Sequence, residues 1–569
     1  MKLKRSLTTA LAVALMGVSL AACSGNNEKN SSSESPSATP SGSPSASSSA
    51  SPSPSAQEKE KEFRFTLASD PPSLDPATMT DAQSSIVAKA IYDGLMRLDP
   101  SGKPIPRIAE SFSVSDDGKT YTFKLRQDAK WSNGDPVTAH DFEYSWKRAL
   151  APETASDYAY MLFYLEKGEE YNAGKATADE VGVKALDDYT LEAKLKAPTP
   201  YFDQLVCHYT YWPVHKATVD GKPEWATEAS TIVSNGPFLL KEWAHGDKLI
   251  LAKNPDYFDK DKVHFTKATI SLVEADSTVF NLFQTDKIDW IGAQAGSVPT
   301  DQVQKMVAEK KAEILPVAST YYYLFNTTKK PFSNVKIRKA FAMAVERQNL
   351  IDNVTKANQS PAHALVAPSI TGVDGKMFRE MFPDTDYLKE DVTEAKKLLA
   401  EGLAEEGLSK VPEITLLYNT NEGHKAIAEA IADMWRRNLG VEVKLANQEW
   451  GTFLETRKAQ QFDVARSGWG ADINHPINFT YDLIHSASGN NDGKYKNEKV
   501  DQLLNESLLT TDLKESLTKL GEAEKIAIKD DMGVLPLYYY TTVTMVKPGF
   551  KDVVSDYAGH LDWAFGDKE

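Results

Sequence analysis

Two cysteines in 569 residues leave little scope for sulfur chemistry. Cys23 lies in an N-terminal processing signal, so Cys207 is the one remaining thiol. An internal disulfide and a cysteine metal site are both excluded. The chain has no HExxH pair, so a zinc peptidase of that type is unsupported. It has no GxSxG elbow. Cys207, between Val206 and His208, lacks the context of a cysteine nucleophile. His424 and His475 lack the carboxylate spacing of a base or a metal ligand. No catalysis, no metal and no cofactor is expected. Positive charge is also short: 64 Lys and Arg against 80 Asp and Glu give a net charge of −16. That balance argues against nucleic acid as a partner.

What is present begins with a signal. Lys2, Lys4 and Arg5 precede an apolar run from Leu7 to Leu20, followed by LAAC at 20–23. A basic start, a short apolar run and small residues before a cleavage point read as a secretory signal over 1–22. The run is too short for a comfortable transmembrane helix, and no later segment is apolar enough to span a bilayer. The Leu20-Ala21-Ala22-Cys23 sequence resembles a bacterial lipobox, with Cys23 as the lipidated residue. Residues 24–62 are mostly Ser, Pro and Ala, ending in QEKEKE, a composition that cannot bury enough surface to fold. Such a tether has a root-mean-square reach of roughly 35 Å. The chain is thus expected to be anchored to the outer face of a membrane rather than to span it.

About 507 residues come after the tether, too many for one core and enough for two or three domains. Phe63, Phe65 and Leu67 alternate as in a half-buried strand. A helix is predicted over Ser84–Leu95, and Thr138 with Asp141 caps another. SNGPFLLKEW (234–243) and DKLILAKNPDYF (247–258) read as two strands joined at His245-Gly246. Asn334 caps a helix. Asp391 and Glu394 suggest an acidic capping box. ITLLYNT, then a helix over 424–440 closed by Gly440, then VEVKLANQEW, make a βαβ unit with a parallel component. LPLYYYTTVTMVKPG (535–549) is a late aromatic strand. Ten Trp and 23 Tyr fit either a large binding cleft or simply a large core.

Residues 462–476, FDVARSGWGADINHP, carry Arg466 and Asp472 on either side of a Gly-Trp-Gly segment. Phe462, Val464 and Ala465 look like a strand entering a core, and Gly468 and Gly470 look like a permissive turn. The residues by themselves allow a loop salt bridge beside a packed Trp.

Several longer stretches are recognisable: SLDPATMTDAQSSIVAKAIYDGL (73–95), 107–150, SNGPFLLKEW, YYYLFNTTKKPFSNVKIRKAFAMAVER (321–347) and 416–472. With these the chain resembles the oligopeptide-binding lipoproteins of peptide ABC importers, within the large peptide/nickel-binding family. It is more similar to the oligopeptide branch than to the dipeptide, nickel or haem branches. The resemblance implies an α/β fold: a two-lobed clam of the periplasmic-binding-protein type II kind, with an extra third domain and a hinge. Lobe I would comprise 63–92, 219–325 and 541–569, the extra domain 93–218, and lobe III 326–540. It implies a monomer that captures short peptides and hands them to a permease with ATPase subunits at the bilayer. A peptide-sensing, pheromone-binding or chaperone-like surface lipoprotein is the alternative on the same fold.

The resemblance also implies residue roles. Asp472 would bind the ligand's α-amino group, Gly468 and its neighbours would offer backbone, and Trp469 would wall a side-chain pocket. Arg466 and His424 would meet the ligand's C-terminus, His424 doing so from the positive end of its helix. Trp450, Arg457, Tyr538 and Tyr323 match further cleft positions. Thr80 stands where some relatives have an acid. Gly470 and a residue near Ser319 stand where some have a cysteine pair. The loop Gly292-Ala293-Gln294 departs from the usual pattern.

Overall fold

The structure, a computed structural model, describes residues 60–569 except 223, 384–386, 388 and 511. The signal segment, Cys23 and nearly all of the tether lie outside the described residues. The tether stops short of the expected 62, because Glu62 already pairs in a strand opposite Lys267. Lys267 Nζ sits 2.9 Å from the Glu62 carboxylate, and Lys61 bonds Asp567 at 2.5 Å. Lys61 and Glu62 are therefore tied to the fold by ion pairs.

Three larger sheets organise the folded region. In the first, Glu62–Leu67 runs parallel to Lys267–Leu272, and Lys248–Lys253 and Phe238–Ala244 complete the order antiparallel. The expected alternation holds, with Phe63, Phe65 and Leu67 fully buried. Gly246 takes the left-handed φ of +73° that the hairpin turn requires. The predicted helix occupies Ala82–Ile91, capped by Asp81 through Ser84 N, and stops four residues early. Gly236 N bonds the carbonyl of Ile91, and Asn235 pairs with both the N–H and the C=O of Asp93. These partners hold 92–95 extended.

The second sheet is antiparallel, in the order Ala109–Val114, Thr120–Leu125, Thr190–Lys194, Val183–Asp187. Helix Ala139–Leu150 backs it, opened by the Thr138–Asp141 capping box and burying Phe142, Trp146 and Leu150.

The third sheet holds the βαβ unit. Ile414–Asn419 and Val443–Gln448 lie parallel, and helix Glu422–Leu439 between them ends on Gly440 at φ +72°. Next to Ile414–Asn419 comes Val464–Gly470, then two 13-residue strands, Glu313–Phe325 and Val534–Val546. The long pair is not continuous. Its register breaks between Pro316, opposite Thr541, and Thr320, opposite Tyr539. At that break Ala318 N bonds Tyr557 O instead. Among the described residues no helix is long and apolar enough to cross a membrane.

Candidate ligand cleft

The Gly-Trp-Gly segment is strand, not the expected turn. Val464–Gly470 pairs along its whole length with the tyrosine-rich strand, from Phe325 opposite Val464 to Ser319 opposite Gly470. Pairing on this side overrides the low strand preference of glycine. The glycines serve closeness rather than a special backbone angle, since neither has a left-handed φ. A Cβ on Gly468 would lie 3.0 Å from Tyr540 Oη, and one on Gly470 would lie 3.1 Å from Ser319 Oγ. Ser319 stands directly opposite Gly470, which fits the expected cysteine pair of some relatives at Gly470 and near Ser319.

The other edge of this strand is paired only at its start, through Leu416 opposite Val464 and Leu417 opposite Ala465. Among the described residues the edge of 466–470 has no further strand partner. A cleft of about 460 Å³ opens onto it, and its lining includes Arg466, Gly468, Trp469, Gly470 and Asp472.

Asp472 closes one end of this edge. Its side chain is 14% exposed. Asn478 donates to Asp472 Oδ2 at 3.2 Å and accepts from Asp472 N at 2.6 Å. Tyr158 donates to the same oxygen at 3.4 Å. His208 Nε2 lies 3.6 Å from Oδ1, while its Nδ1 accepts from Thr210 N. That bond puts the proton of a neutral His208 on Nε2, facing Asp472. Burial by itself would raise the Asp472 pKa, but His208, Asn478 and His560 outweigh it and hold the carboxylate below its usual range. Behind Asn478 sits Asp482, bonded to the same amide. Burial, then the charge of Asp472, push Asp482 well up. Of the two neighbouring carboxylates Asp472 is thus the stronger acid and Asp482 the weaker.

Arg466 closes the other end. Its NH2 donates to Tyr540 at 2.9 Å and its NH1 to Asn419 at 3.3 Å. Its guanidinium stands 5.1 Å from the centre of the Tyr321 ring. Nε has no hydrogen-bond partner, and no carboxylate among the described residues forms an ion pair with this cation. His424 sits nearby, its Nδ1 3.4 Å from Tyr321 Oη. Burial, then Arg466, push its pKa well below the usual value, so it is a neutral imidazole. The expected contribution of its helix end is reduced: the helix begins at Glu422, and the His424 N–H is already bonded to Asn421 Oδ1.

Other expected residues divide. Trp469 lines the cleft, 6.2 Å from Tyr158 in a near-parallel stack, with its indole N–H unpartnered. Trp450 also lines it and donates to Asp81 at 3.3 Å. Arg457 lines it but is committed to Asp492 at 2.6 Å and to Ser467. Tyr538 lines it and stacks on Tyr321 at 4.7 Å. Tyr323 does not line it. Strand alternation turns Tyr323 into the core against Trp435, and its neighbour Tyr322 reaches the cleft. His475 is also packed inside, stacked on Tyr201, with burial lowering its pKa to about 3.

Sequence reasoning misses Tyr158, His208, Asn478, Asp81 and Tyr540. No local signal marks the first two, which reach Asp472 from more than two hundred residues away. Asp81 directly follows Thr80, the position where some relatives are expected to carry an acid.

Residues 103–491 match the profile of bacterial extracellular solute-binding proteins, family 5 Middle. The oligopeptide-binding protein OppA of Bacillus subtilis is 40% identical over 500 residues, covering 87% of this chain and 90% of that protein. The structure of Listeria monocytogenes OppA bound to peptide superposes with a TM-score of 0.82 at 33% identity, over 90% of this chain and 99% of that one. The unliganded open form of the murein tripeptide-binding protein MppA gives 0.59 at 30% identity, over 90% and 98%. The chain is thus arranged like the peptide-bound relative rather than the open one.

Proposed function

The chain belongs to the family 5 bacterial extracellular solute-binding proteins, and from that premise we propose that it captures short oligopeptides by their backbone and termini and delivers them to an ABC permease. The observation that carries this reading is the cleft strand. It presents a free edge with a buried carboxylate at one end and, at the other, a cation with no carboxylate partner among the described residues. An extended peptide added to that edge gains main-chain hydrogen bonds whatever its sequence. Asp472 takes the α-amino group and Arg466 the terminal carboxylate. The two lie six positions apart, with the strand ending at Gly470 two residues short of Asp472, a span of about 20 Å if extended. Once side-chain reach is subtracted, that span suits about three to five extended residues.

In this reading the first two sheets belong to one jaw and its elaboration, 63–92 with 219–325 and 541–569, and 93–218. Residues 326–540 form the other jaw. Tyr158 and His208 reach Asp472 from the opposite jaw, and Lys458 reaches Asp157 at 2.8 Å. Because residues 319–325 pair throughout with 464–470 of the second jaw, the first crossing between jaws is put at the register break at 316–320, short of 325, and the long strands flex there. Cys23, lipidated, and the tether hold the cycle at the outer face of the membrane. No catalytic step is part of this function.

Closure is directly measurable. Saturating peptide should lower the radius of gyration in small-angle scattering, because hinge closure follows ligand binding. It should also raise the melting temperature. A free ligand at a hundred times Kd contributes about 2.7 kcal/mol. No change in either quantity would end the peptide-carrier reading.

Side-chain selectivity should be shallow. Main-chain bonds supply the shared affinity, and water fills what each side chain leaves. Tetrapeptides varied at one central position should spread over about two decades in Kd, or roughly 3 kcal/mol. A preference of four decades for one residue would mark a dedicated receptor instead.

A further inference from the structure

Two helix N-termini meet across the cleft. Helix Asp276–Gln284 comes after the first sheet, and its N-cap position, Ala275, offers no side-chain acceptor. Helix Glu422–Leu439 comes after Ile414–Asn419 of the third sheet and is capped by Asn421. Glu422 supplies what the first helix lacks. Ser277 Oγ donates to Glu422 Oε1 at 2.9 Å, and Ser277 N donates to Oε2 at 3.3 Å. In return Asn421 Nδ2 approaches both oxygens of Asp276, at 3.4 and 3.5 Å. An acceptor carboxylate at a helix start is favourable, because the first N–H groups there have no partner within the helix. This one comes from the opposite jaw, so the cap exists only when the jaws are together.

The same contact places two carboxylates side by side. Asp276 is 8% exposed. Facing it are Glu422 and Asn421 from the second helix and Ser297 from the loop beside it, and none of these is a cation. Burial, then the Glu422 charge, raise the Asp276 pKa to about 6. Separated jaws would return Asp276 to water and to an ordinary carboxylate value.

We propose that the Asp276–Ser277 corner and the Asn421–Glu422 corner form a proton-sensitive closing contact, in which Glu422 caps the opposing helix and Asp276 takes up a proton as the jaws meet. The proposal rests on the peptide-carrier reading. Its sign is definite. An acid whose pKa is higher closed than open favours the closed form as pH falls. Closing, and with it peptide retention, strengthens between neutral pH and pH 5.

The test is calorimetry of the full chain and of Asp276→Asn, with one tetrapeptide, from pH 7.5 to 5.0. Asparagine keeps the shape and cannot ionise. The variant should bind more tightly than the parent at pH 7.5. The ratio of the two Kd values should shrink by about tenfold by pH 5.0, the change expected for a carboxylate moving from about 4 to about 6. Taking the ratio cancels the titration of every group that both proteins share. Parent titrations in buffers of different ionisation enthalpy should show more proton uptake on binding near pH 6 than titrations of the variant. A ratio that stays constant across this range overturns the proposal and leaves the carrier reading standing. A parent that binds no peptide at any pH overturns both.

Discussion

Asp472→Ala should lose roughly 30- to 4000-fold in peptide affinity. Removing one partner of a buried, hydrogen-bonded charge pair costs about 2–5 kcal/mol, and each 1.4 kcal/mol is about one decade. The site justifies this range because the carboxylate is only 14% exposed and three side chains hold it in place. Asn478, Tyr158 and His208 would be left facing an uncompensated ammonium group. N-acetylated peptides should bind the parent as weakly as free peptides bind the variant. The pKa direction adds a check. A depressed carboxylate contributes above its pKa and is lost only as pH falls through it. Asp472 lies below the usual carboxylate range, so this anchor should persist at pH 5, where exposed carboxylates near 4 begin to titrate. Equal calorimetric affinity for free and acetylated peptides would sink the assignment.

Arg466→Gln should cost a similar amount, about 2–5 kcal/mol, and should do so selectively. Glutamine can still reach a neutral partner such as Tyr540, so packing is largely kept while the positive charge goes. Peptides amidated at the C-terminus should bind the parent weakly. They should bind the variant about as well as their free-acid counterparts do, because the two changes remove one interaction and so are not additive. A parent that does not distinguish acid from amide would show that Arg466 serves the cleft wall rather than the ligand. Arg466→Lys should not rescue fully, because a point charge lacks the planar fork that grips a carboxylate.

Much of this molecule is legible without coordinates, and particular residues show why. The helix before Gly440, the hairpin at His245-Gly246, the Thr138 cap and the strand Ile414–Asn419 each depend on local chemistry: a left-handed glycine, a capping oxygen, a run with period two. Asp472 and Arg466 stand out as charges beside glycines in an otherwise apolar segment. The helix after Asp81 reads four residues too long from sequence, because what stops it is Asn235, more than a hundred and forty positions away.

The sequence by itself determined the α/β architecture, the parallel unit, the family and the two charged ends of the cleft strand, since all of these rest on neighbours along the chain. Only the tertiary structure decided that the Gly-Trp-Gly segment is a strand with one free edge. It also decided that Tyr322 rather than Tyr323 faces the cleft, and that Arg457 is already spent on Asp492. It alone brought Tyr158 and His208 to Asp472 and Glu422 to Ser277. The physical reason is common to them all. Which edge is free, which face is buried and which charge lacks a partner are properties of surfaces meeting, and the jaws that meet here are built from segments hundreds of residues apart.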